Sequence, residues 1–387
     1  MNTTNNYQGG FWPSKDDALL LKAILLPRQE AIKAWEEWLN IVDIDTVESG
    51  TQRMFPLLYV KLKEYNIDHP LMNRFKGIYR RTWYKNQIFS HHMVPLLKSF
   101  KDAGIDSIVL KGAALTVLYY KDLGLRHMSD FDLMIAPSDV KNALIILKTL
   151  GYMPIGYTWE SFDDKVLYFQ HGWGFKHTES EIDFDLHWHL LRENCGINDD
   201  DALWQHIQPI EINNFPTNTL NATDHLMHAC VHGLEKNIVA SIRWAADAKI
   251  IIDQNKIEWE RLIREAQKRK VILPILQAFN YLHDELSVSI PGEVLSKLSA
   301  LKLDKIEHYG AIARQYDGRN PTNLEKLSWL RYKYLRYSQA RSHNNYSYLK
   351  PWVMLDFLKG YWRLSSIKQI PREFFKLGIR IIKRSYT

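Results

Sequence analysis

The sequence predicts an α+β fold in which a small mixed β-sheet core lies between an N-terminal and a C-terminal helical region. Apolar residues recur at spacings of three and four before residue 104 and again after about residue 194, which is the period of amphipathic helices. Between these regions, short β-rich runs alternate with helical segments, a pattern typical of a sheet with helices packed against it. We therefore predict a helical region at 1–103, the core at 104–192, a helical region packed on the core at 193–329, and a basic, helical tail at 330–387.

The composition is that of a globular protein with a substantial core. The 387 residues are 46% hydrophobic and 24% charged, and this length suits two domains or one domain with large helical additions. The segment "MNTTNNYQGG" has no basic stretch followed by an apolar one, so we expect no signal peptide. No run of about 18 apolar residues is present, so we expect no membrane span. Two cysteines are too few for a disulfide scaffold, which favours a reducing cytoplasm.

The N-terminal region contains three predicted helices. Apolar residues follow the helical period in "DDALLLKAILL", "EAIKAWEEWLNIV" and "HHMVPLLKSFKDAG". The period changes after these helices, where the core begins.

The core begins with the strand "IDSIVL", Ile105 to Leu110. A helix follows in "KGAALTVLYYKDLG", for which Gly124 is the predicted C-cap. The next strand is "SDFDLMIA", and a second helix begins at Pro137 and Ser138 and ends at Gly151. Two further strands, "VLYFQH" and "EIDFDLHWHL", are predicted on either side of the connection "GWGFKHTES".

After about Asn194 the sequence is predicted to be helical again. Asn221 or Thr223 is the expected N-cap of the first of these helices, since either side chain can accept from an exposed backbone N–H group. Four segments follow the helical period: "NATDHLMHACVHGLEKN", "ASIRWAADAKIIIDQ", "IEWERLIREAQKR" and "VILPILQAFNYLHDEL".

Asp130 and Asp132 interrupt the apolar run "RHMSDFDLMI". Residues two apart on a strand project to the same side, and two adjacent buried carboxylates are unfavourable without a cation. Mg²⁺ meets this need, because it binds one or two carboxylates together with phosphate oxygens. The alternative is that both carboxylates face solvent or pair with Arg126 and a lysine.

Two further features favour a metal–phosphate site. In "LKGAAL" a strand passes into a helix through Gly112, which would let backbone N–H groups approach a phosphate; an ordinary strand-to-helix turn is the alternative. In "EIDFDLHWHL", Asp183, Asp185, His187 and His189 share one face, so this strand offers a third carboxylate. Three such carboxylates can hold two metal ions that activate an attacking oxygen and stabilise a pyrophosphate leaving group.

At these residues the chain resembles a known family. The stretch "LKGAALTVLYYKDLGLRHMSDFDLMI", followed by "IDFDLHW" and the later "RWAADAKIII", is similar to the bacterial uncharacterised nucleotidyltransferase family of the polymerase-β-like nucleotidyltransferase superfamily. The resemblance is strong over roughly residues 105–250, and the flanks match only in being helical. It implies a nucleotidyltransferase core with Mg²⁺ as cofactor, two ions during turnover, and an NTP such as ATP as substrate.

The resemblance also implies roles for individual residues. Asp130 and Asp132 would be the catalytic metal-ligand pair, and Asp185, preferred over Asp183 because it lies next to "LHW", would complete the site. The residues implied to bind the nucleotide are Lys111, Gly112, Ala113, Arg126 and Ser129. The turn departs from the superfamily pattern, which has a Ser after the Gly where this chain has Ala113, and Lys111 would replace part of that contact.

Three of the candidate residues each have two interpretations. Arg126 either holds a phosphate bidentately or neutralises Asp130. His187 is either a general base for an acceptor hydroxyl or a residue that lines the pocket. Arg243 either pairs with Asp247, four residues on, or faces the cleft.

A row of histidines on one predicted helical face has two interpretations. His225, His228 and His232 lie at i, i+3 and i+7. They bind a transition metal or, as such rows more often do, form a buried or cleft-lining face. His232, next to Gly233, is the member expected to reach the nucleotide cleft.

The tail carries the positive charge of the chain. Residues 330–387 contain 13 Lys and Arg against 2 acidic residues, so they account for +11 of a net charge of +6, and the remainder is −5. In "REFFKLGIRIIKRSY" apolar and basic residues alternate, which suits an anionic membrane surface or an acidic partner. The favoured alternative is a C-terminal helix packed on the protein with a solvated basic face, and we expect no specific nucleic-acid binding.

Three functions are compatible with these residues. The leading hypothesis is a Mg²⁺-dependent nucleotidyltransferase that moves a nucleoside monophosphate from an NTP to an acceptor hydroxyl on a small molecule, sugar or peptide. The second is a nucleotide-sugar glycosyltransferase that uses Asp130 and Asp132 as its D-x-D motif, although that motif normally follows a longer nucleotide-binding half. The third is a non-catalytic binding protein that retains the fold.

Overall fold

The computed structural model of the protein describes residues 12–235, 242–315, 323–341, 351–362, 364 and 366–376. The strands within these residues are β1 (Ser107–Leu110), β2 (Phe131–Ile135), β3 (Tyr152–Pro154), β4 (Gly172–His177), β5 (Asp183–His187), β6 (Gln208–Ile212) and β7 (Phe215–Thr219). They form a seven-stranded sheet in the described part of the chain, with the order β3-β4-β5-β2-β1-β7-β6. A mixed sheet surrounded by helices confirms the predicted fold class.

The register of the central strands brings the acidic residues together. Strands β2 and β5 run parallel, with Asp132 beside Asp185. Strand β1 runs antiparallel to β2, with Leu110 opposite Asp132, and β4 runs antiparallel to β5, with Gly174 opposite Asp185. Directly paired residues share a face of the sheet, so Asp132, Asp185 and Gly174 lie in one row across three strands. We call the two carboxylates of this row, Asp132 and Asp185, the acidic row.

The N-terminal helices are α1 (Lys15–Leu25), α2 (Arg28–Ile41), α3 (Ser49–Gln52), α4 (Phe55–Glu64) and α5 (Met72–Asp102). Helix α1 begins at Ser14, whose hydroxyl accepts from the backbone N–H of Asp17 at 3.1 Å. The first two predicted helices are confirmed, and the third is the C-terminal end of the much longer α5, which continues through Pro95.

The helix after β1 ends earlier than predicted. It consists of α6 (Lys111–Leu115) and a π-helical turn, Thr116–Tyr120. Lys121, at φ 55°, ends it in the left-handed conformation, so the prediction of Gly124 as the C-cap was wrong. A Cβ atom at Gly124 would lie 2.3 Å from the Tyr79 ring, so close packing explains this glycine.

The next helix is confirmed, whereas the strand predicted after it is wrong. A 3₁₀ turn, Pro137–Asp139, leads into α7 (Val140–Thr149), and the chain turns at Gly151, φ 81°. The segment "VLYFQH" is not a strand, since most of it belongs to or follows a 3₁₀ helix, Asp164–Tyr168. The Asp163 carboxylate caps this helix by accepting from two backbone N–H groups.

The glycine-containing segment predicted as a connection holds β4 instead. A Cβ atom at Gly172 would lie 2.4 Å from the Leu186 carbonyl oxygen, so a glycine lets the neighbouring strand approach. The short α8 (Asp201–Trp204) follows β5, and then β6 and β7 join the sheet. The sheet therefore extends beyond residue 192, into the region predicted to be wholly helical.

The helices after the sheet are α9 (Ala222–Gly233), α10 (Arg243–Gln254), α11 (Trp259–Arg269), α12 (Ile272–Leu286), α13 (Gly292–Ala300), α14 (Lys305–Gln315), α15 (Asn323–Arg341) and α16 (Pro351–Tyr361). Asn221 is the N-cap of α9, and its side chain accepts from the backbone N–H of Asp224 at 3.1 Å. A 3₁₀ turn, Ile367–Gln369, follows α16.

The two faces of the sheet have different apolar neighbours. Phe131, Leu133 and Phe184 on one face belong to a buried cluster with side chains of α5 and α7. Leu110 and Met134 on the other face belong to a second cluster, with side chains of α9 to α12. Burying one Leu or Phe side chain stabilises the fold by about 1.5–3 kcal/mol. Burial of both clusters therefore stabilises the strands that carry the acidic row.

An ion pair attaches α16 to the core, and a second one joins α16 to α15. Asp356 of α16 binds Lys165 at 2.9 Å and Arg341 at 2.8 Å. In the described part of the chain, no helix is both long and apolar enough to cross a membrane. Cys195 and Cys230 are buried free thiols.

Only part of the predicted amphipathic tail is described. Phe374 is 49% exposed and Phe375 is 71% exposed. Residues 377–387, with Leu377, Ile379, Ile381 and Ile382 of the predicted apolar set, lie outside the described residues. Contact of the tail with a membrane or an acidic partner therefore stays a prediction.

Candidate active site

A cleft of about 350 Å³ lies between the acidic row of the sheet and helices α9 and α10, a size within the usual range of small-molecule sites. Most residues predicted to form the site line it: Lys111, Gly112, Arg126, Ser129, Asp130, Asp132, Asp185, His232 and Arg243. Among the described residues, the predicted candidates that do not line it are Ala113, Asp183 and His187. The structure therefore brings most of the predicted residues together at one cleft.

Asp132 lies at the centre of the polar contacts. Its Oδ1 atom accepts from Lys111 Nζ at 2.6 Å and lies 2.9 Å from His187 Nε2. Burial alone would raise the pKa of this carboxyl, but Lys111 and His187 together hold the pKa well below its usual range. The pKa of Lys111 is raised because Asp132 outweighs the effect of burial. Both groups are therefore charged at neutral pH.

Asp185 has the opposite electrostatic environment. Burial first, and then the negative charge of Asp132, raise its pKa to about 7. Space for this carboxylate is left by Gly174, because a Cβ atom there would lie 3.1 Å from Asp185 Oδ1. Asp183, two residues earlier, lies opposite Lys176 and outside the cleft.

One group of side chains has the arrangement of metal ligands. Ligand atoms of Asp132, Asp185 and His187 all lie within 4.8 Å of one another. A divalent cation fits this group, because burial and then the negative charge of Asp132 raise the pKa of Asp185, and a cation beside both carboxylates favours their charged forms. Carboxylate oxygens suit Mg²⁺ and Mn²⁺, whereas an imidazole ligand suits transition metals.

Asp130 lies at the cleft but outside this group. It precedes β2, lines the cleft, and accepts from the Ser129 hydroxyl at 3.2 Å. Burial and the neighbouring Asp132 raise its pKa. Its assignment as a metal ligand stays a prediction, and His187 occupies the third position of the group instead.

His187 is buried behind Asp132. Burial and then the charge of Lys111 lower its pKa to about 4, against the opposing effect of Asp132. The imidazole is therefore neutral at pH 7, and its Nε2–H group can donate to Asp132. Among the described residues, its Nδ1 atom has no hydrogen-bond partner. In this position His187 orients Asp132, and its predicted role as a general base stays a prediction.

The turn between β1 and α6 forms one edge of the cleft. The left-handed residue in this turn is Lys111, at φ 45°, rather than Gly112. A Cβ atom at Gly112 would lie 2.7 Å from Arg126 Nη1 and 2.7 Å from Met128 Cγ. Gly112 therefore allows Arg126 and Met128 to pack against the turn, and Ala113 is buried outside the cleft.

Arg126 pairs with Asp247 of α10. Its Nε and Nη2 atoms donate to the two carboxylate oxygens, each at 2.8 Å, and Tyr120 donates to Asp247 Oδ1 at 2.6 Å. The alternative in which Arg126 neutralises Asp130 was wrong, since the bidentate contact with Asp247 holds the guanidinium. The alternative pairing of Arg243 with Asp247 was wrong for the same reason, and Arg243 donates to the His127 carbonyl oxygen while lining the cleft.

The three predicted histidines of α9 all line the cleft. His225 Nε2 lies 3.1 Å from the Thr219 hydroxyl oxygen, and His232 Nδ1 lies 3.5 Å from Glu235. His225 and His228 are buried, so the cleft-lining interpretation of this row is the one that agrees with the structure.

Arg53 is a cleft residue that we did not predict from the sequence. This residue follows α3 in the N-terminal region and lines the same cleft. It lies 77 positions before Asp130 in the chain and belongs to no motif, so only the packing of the helices brings it there.

Comparison with known proteins agrees with the family resemblance. The sequence model of a family described as "Uncharacterised nucleotidyltransferase" matches residues 49–286, which is well over half of the chain. The match includes all the predicted candidate residues and begins just before Arg53. No curated protein matches the chain.

Proposed function

We propose, because this chain belongs to the uncharacterised nucleotidyltransferase family, that it transfers a nucleoside monophosphate from an NTP to the hydroxyl group of an acceptor. The observation that carries the proposal is the strand register that places Asp132 beside Asp185. Both carboxylates line a cleft that the Lys111–Gly112 turn also lines. The two carboxylates, a cation and backbone N–H groups are the parts that phosphate chemistry needs.

The cofactor that we propose is Mg²⁺, with two ions during turnover. Asp132 and Asp185 would hold it, with Asp130 as a further ligand and His187 orienting Asp132 through their 2.9 Å contact. When bound, the metal would neutralise charge on the phosphates and favour departure of pyrophosphate. The remaining chemistry falls to residues of the chain.

Cationic side chains would position the triphosphate. Arg53, Lys111 and Arg243 line the cleft, and Arg126 is held by Asp247 beside the turn. Backbone N–H groups near Gly112 and the Ser129 hydroxyl would complete the contacts to the nucleotide. No hydroxyl follows Gly112, so Lys111 would take part of that contact as a point charge.

In the transfer step one bond forms, one bond breaks and one proton moves. The acceptor oxygen forms a bond to the α-phosphorus as the bond from that phosphorus to the bridging oxygen of the β-phosphate breaks. The bonding electrons leave with pyrophosphate, and Asp185 accepts the hydroxyl proton. Asp185 suits this role because it borders the cleft and is not paired with Lys111, which contacts Asp132.

The experiment uses nucleotides labelled at the α-phosphate, supplied with Mg²⁺ and a panel of hydroxyl compounds to the full chain. We expect transfer of the label with release of pyrophosphate, and loss of transfer in Asp132→Asn and Asp185→Asn. The matched control is Asp183→Asn, which changes the same residue type on the same face of β5 outside the cleft and should retain transfer.

Two outcomes would replace the proposal. Transfer of the sugar from a nucleotide sugar, with no label from an NTP, would identify a glycosyltransferase. Absence of metal and nucleotide binding would identify a binding protein that retains the fold. Equal loss of transfer in Asp183→Asn and Asp185→Asn would contradict the role of the cleft carboxylate.

A further inference from the structure

A second cleft, of about 370 Å³, lies against β4 on the far side of Asp185 from the first. His171, Gly172 and Gly174 form its base. Side chains of α15 and α16 form its opposite wall. None of the site residues predicted from the sequence lines this cleft. The proposed function therefore assigns no role to it so far.

The two clefts are lined by directly paired residues of neighbouring strands, Gly174 and Asp185. Gly174 lines the second cleft and Asp185 lines the first, yet a Cβ atom at Gly174 would be only 3.1 Å from Asp185 Oδ1. On the same side, the rings of His171 and His187 have centroids 5.0 Å apart. Because residue 174 has no side chain, the Asp185 carboxylate lies directly beside the β4 backbone that borders the second cleft, next to the Ile155 side chain.

The walls of the second cleft are aromatic. Tyr157 and Trp173 stack with centroids 4.5 Å apart, and Phe169 and Tyr337 stack at 4.0 Å. The aromatic residues that line the cleft are Tyr157, Tyr168, Phe169, Trp173, Tyr337, Phe357 and Tyr361. Flat apolar walls of this kind suit a ring-shaped ligand.

The charge of the second cleft is positive. Among the described residues, three cationic side chains, Arg192, Lys333 and Arg336, line it together with one carboxylate, that of Glu193. Arg192 contacts Glu235 at 3.1 Å, and Arg336 donates to two backbone carbonyl oxygens of α11 and its C-cap. Among the described residues, Lys333 has no carboxylate within ion-pair distance, and burial followed by the charge of Arg192 lowers its pKa. An anionic ligand would relieve this excess of positive charge.

We propose that the second cleft binds the acceptor, and that the acceptor is a hydroxyl-bearing ring compound with an anionic group, such as a sugar phosphate. Lys333 binds the anionic group, the aromatic walls contact the ring, and a hydroxyl group reaches across Gly174 to Asp185. This inference rests on the proposed function for its chemistry, while the binding itself can be measured without any nucleotide.

The test is calorimetric titration of the full chain with three probes: glucose 6-phosphate, glucuronate and glucose. We expect the anionic probes to bind at least about tenfold more tightly than glucose, because a hydrogen bond to a charged group commonly changes affinity by that factor. Tighter binding of glucose 6-phosphate than of glucuronate would identify phosphate as the anionic group, and the reverse order would identify a carboxylate.

Three variants locate the binding. Lys333→Gln should weaken the anionic probes by about tenfold, and Lys333→Arg should largely restore them. The matched control Lys297→Gln changes an exposed lysine on α13 and should bind all probes as the wild type does. Tyr361→Ala, at a partly exposed ring of the wall, should weaken all three probes and provides a second test if Lys333→Gln does not fold.

Several outcomes would overturn the inference. It fails if glucose binds as tightly as the anionic probes, if none of them binds, or if Lys297→Gln and Lys333→Gln weaken binding equally. Failure of the proposed function is distinguishable, since the chain would then bind the sugar phosphate but no NTP. Metal-dependent NTP binding without affinity for any anionic probe would reject the acceptor site alone.

Discussion

At the scale of single residues, Gly112 shows how a small side chain determines the shape of the cleft. Its φ angle is not positive, so the backbone conformation does not require a glycine. Arg126 and Met128, however, occupy the space that a Cβ atom would need. A Gly112→Ala change must displace Arg126 or Met128, and overpacking of this kind typically costs about 1–3 kcal/mol. We expect the free energy of unfolding to fall by that amount in chemical denaturation.

The control for this prediction is Gly77→Ala, in the second turn of α5. No atom lies within 4 Å of a Cβ atom built at Gly77, and glycine in a helix is less stable than alanine by about 0.5–1 kcal/mol. Gly77→Ala should therefore raise the unfolding free energy. If both alanines have the same effect, the packing explanation of Gly112 is incorrect.

His225 is expected to make stability depend on pH. Burial, and then the charge of Arg126 against the opposing charge of Asp247, lower its pKa to about 3, below the value of about 6.5 in an unfolded chain. Between these values the unfolded state binds more protons, so the stabilising contribution is complete above about pH 6.5 and decreases as the pH falls towards 3.

The measurement is the difference between wild type and His225→Gln in unfolding free energy, at pH 7.5 and at pH 5. When the pH is lowered from 7.5 to 5, the unfolding free energy of the wild type should fall by about 2 kcal/mol more than that of the variant. The reason is that the histidine binds a proton only when the chain is unfolded. A parallel decrease in the two proteins would show that His225 does not stay neutral when buried.

The candidate carboxylates could be predicted at this scale, but most of their partners could not. The alternation in "EIDFDLHW" placed Asp183 and Asp185 on one face, and the strand register then distinguished them. The contact between Arg126 and Asp247 joins residues 121 positions apart. A local charge pattern favours pairs at i, i+4 instead, which explains why Arg243 was an alternative partner.

At the scale of elements, α10 is anchored beside the cleft by its Asp247 carboxylate. Its Asp247 accepts from Arg126 and from Tyr120 of the π-helical turn. Asp247→Ala would leave a buried guanidinium without its carboxylate, a change that typically costs about 3–5 kcal/mol. We expect that loss in the unfolding free energy, together with weaker nucleotide binding.

Asp253→Ala on the same helix is the matched control. Its carboxylate pairs with Lys249 at 3.0 Å and is 48% exposed. Exposed pairs of this kind contribute less than about 1 kcal/mol. Similar losses in the two variants would mean that the Arg126 contact does not anchor α10.

The strands were harder to predict than the helices. Val166 to His171 have the residue types of a strand, but the Asp163 carboxylate caps a 3₁₀ helix at their start. The real strand, Gly172–His177, contains two glycines, which are uncommon in strands. Both glycines have tertiary explanations, since Gly172 meets the neighbouring backbone and Gly174 meets Asp185, and no local pattern reveals either.

At the scale of the whole molecule, the α+β class and the helical flanks followed from periodicity, but the extent of the sheet did not. Strands β6 and β7 come from the region beyond residue 192, and β7 pairs with β1 in parallel through Ile108 and Val109. Such a contact depends on the path of the intervening chain. The second cleft was missed for the same reason, because it needs β4 beside α15 and α16.

We propose above that the acidic row binds a metal–nucleotide complex. Measuring nucleotide binding in the absence of any acceptor tests this proposal. We would titrate the full chain with α,β-methylene analogues of the four common NTPs, with and without Mg²⁺, and compare Asp132→Asn and Asp183→Asn. We expect Mg²⁺-dependent binding of at least one analogue, which Asp132→Asn loses and Asp183→Asn keeps. Binding that is indifferent to Mg²⁺, or equal in the two variants, would contradict it.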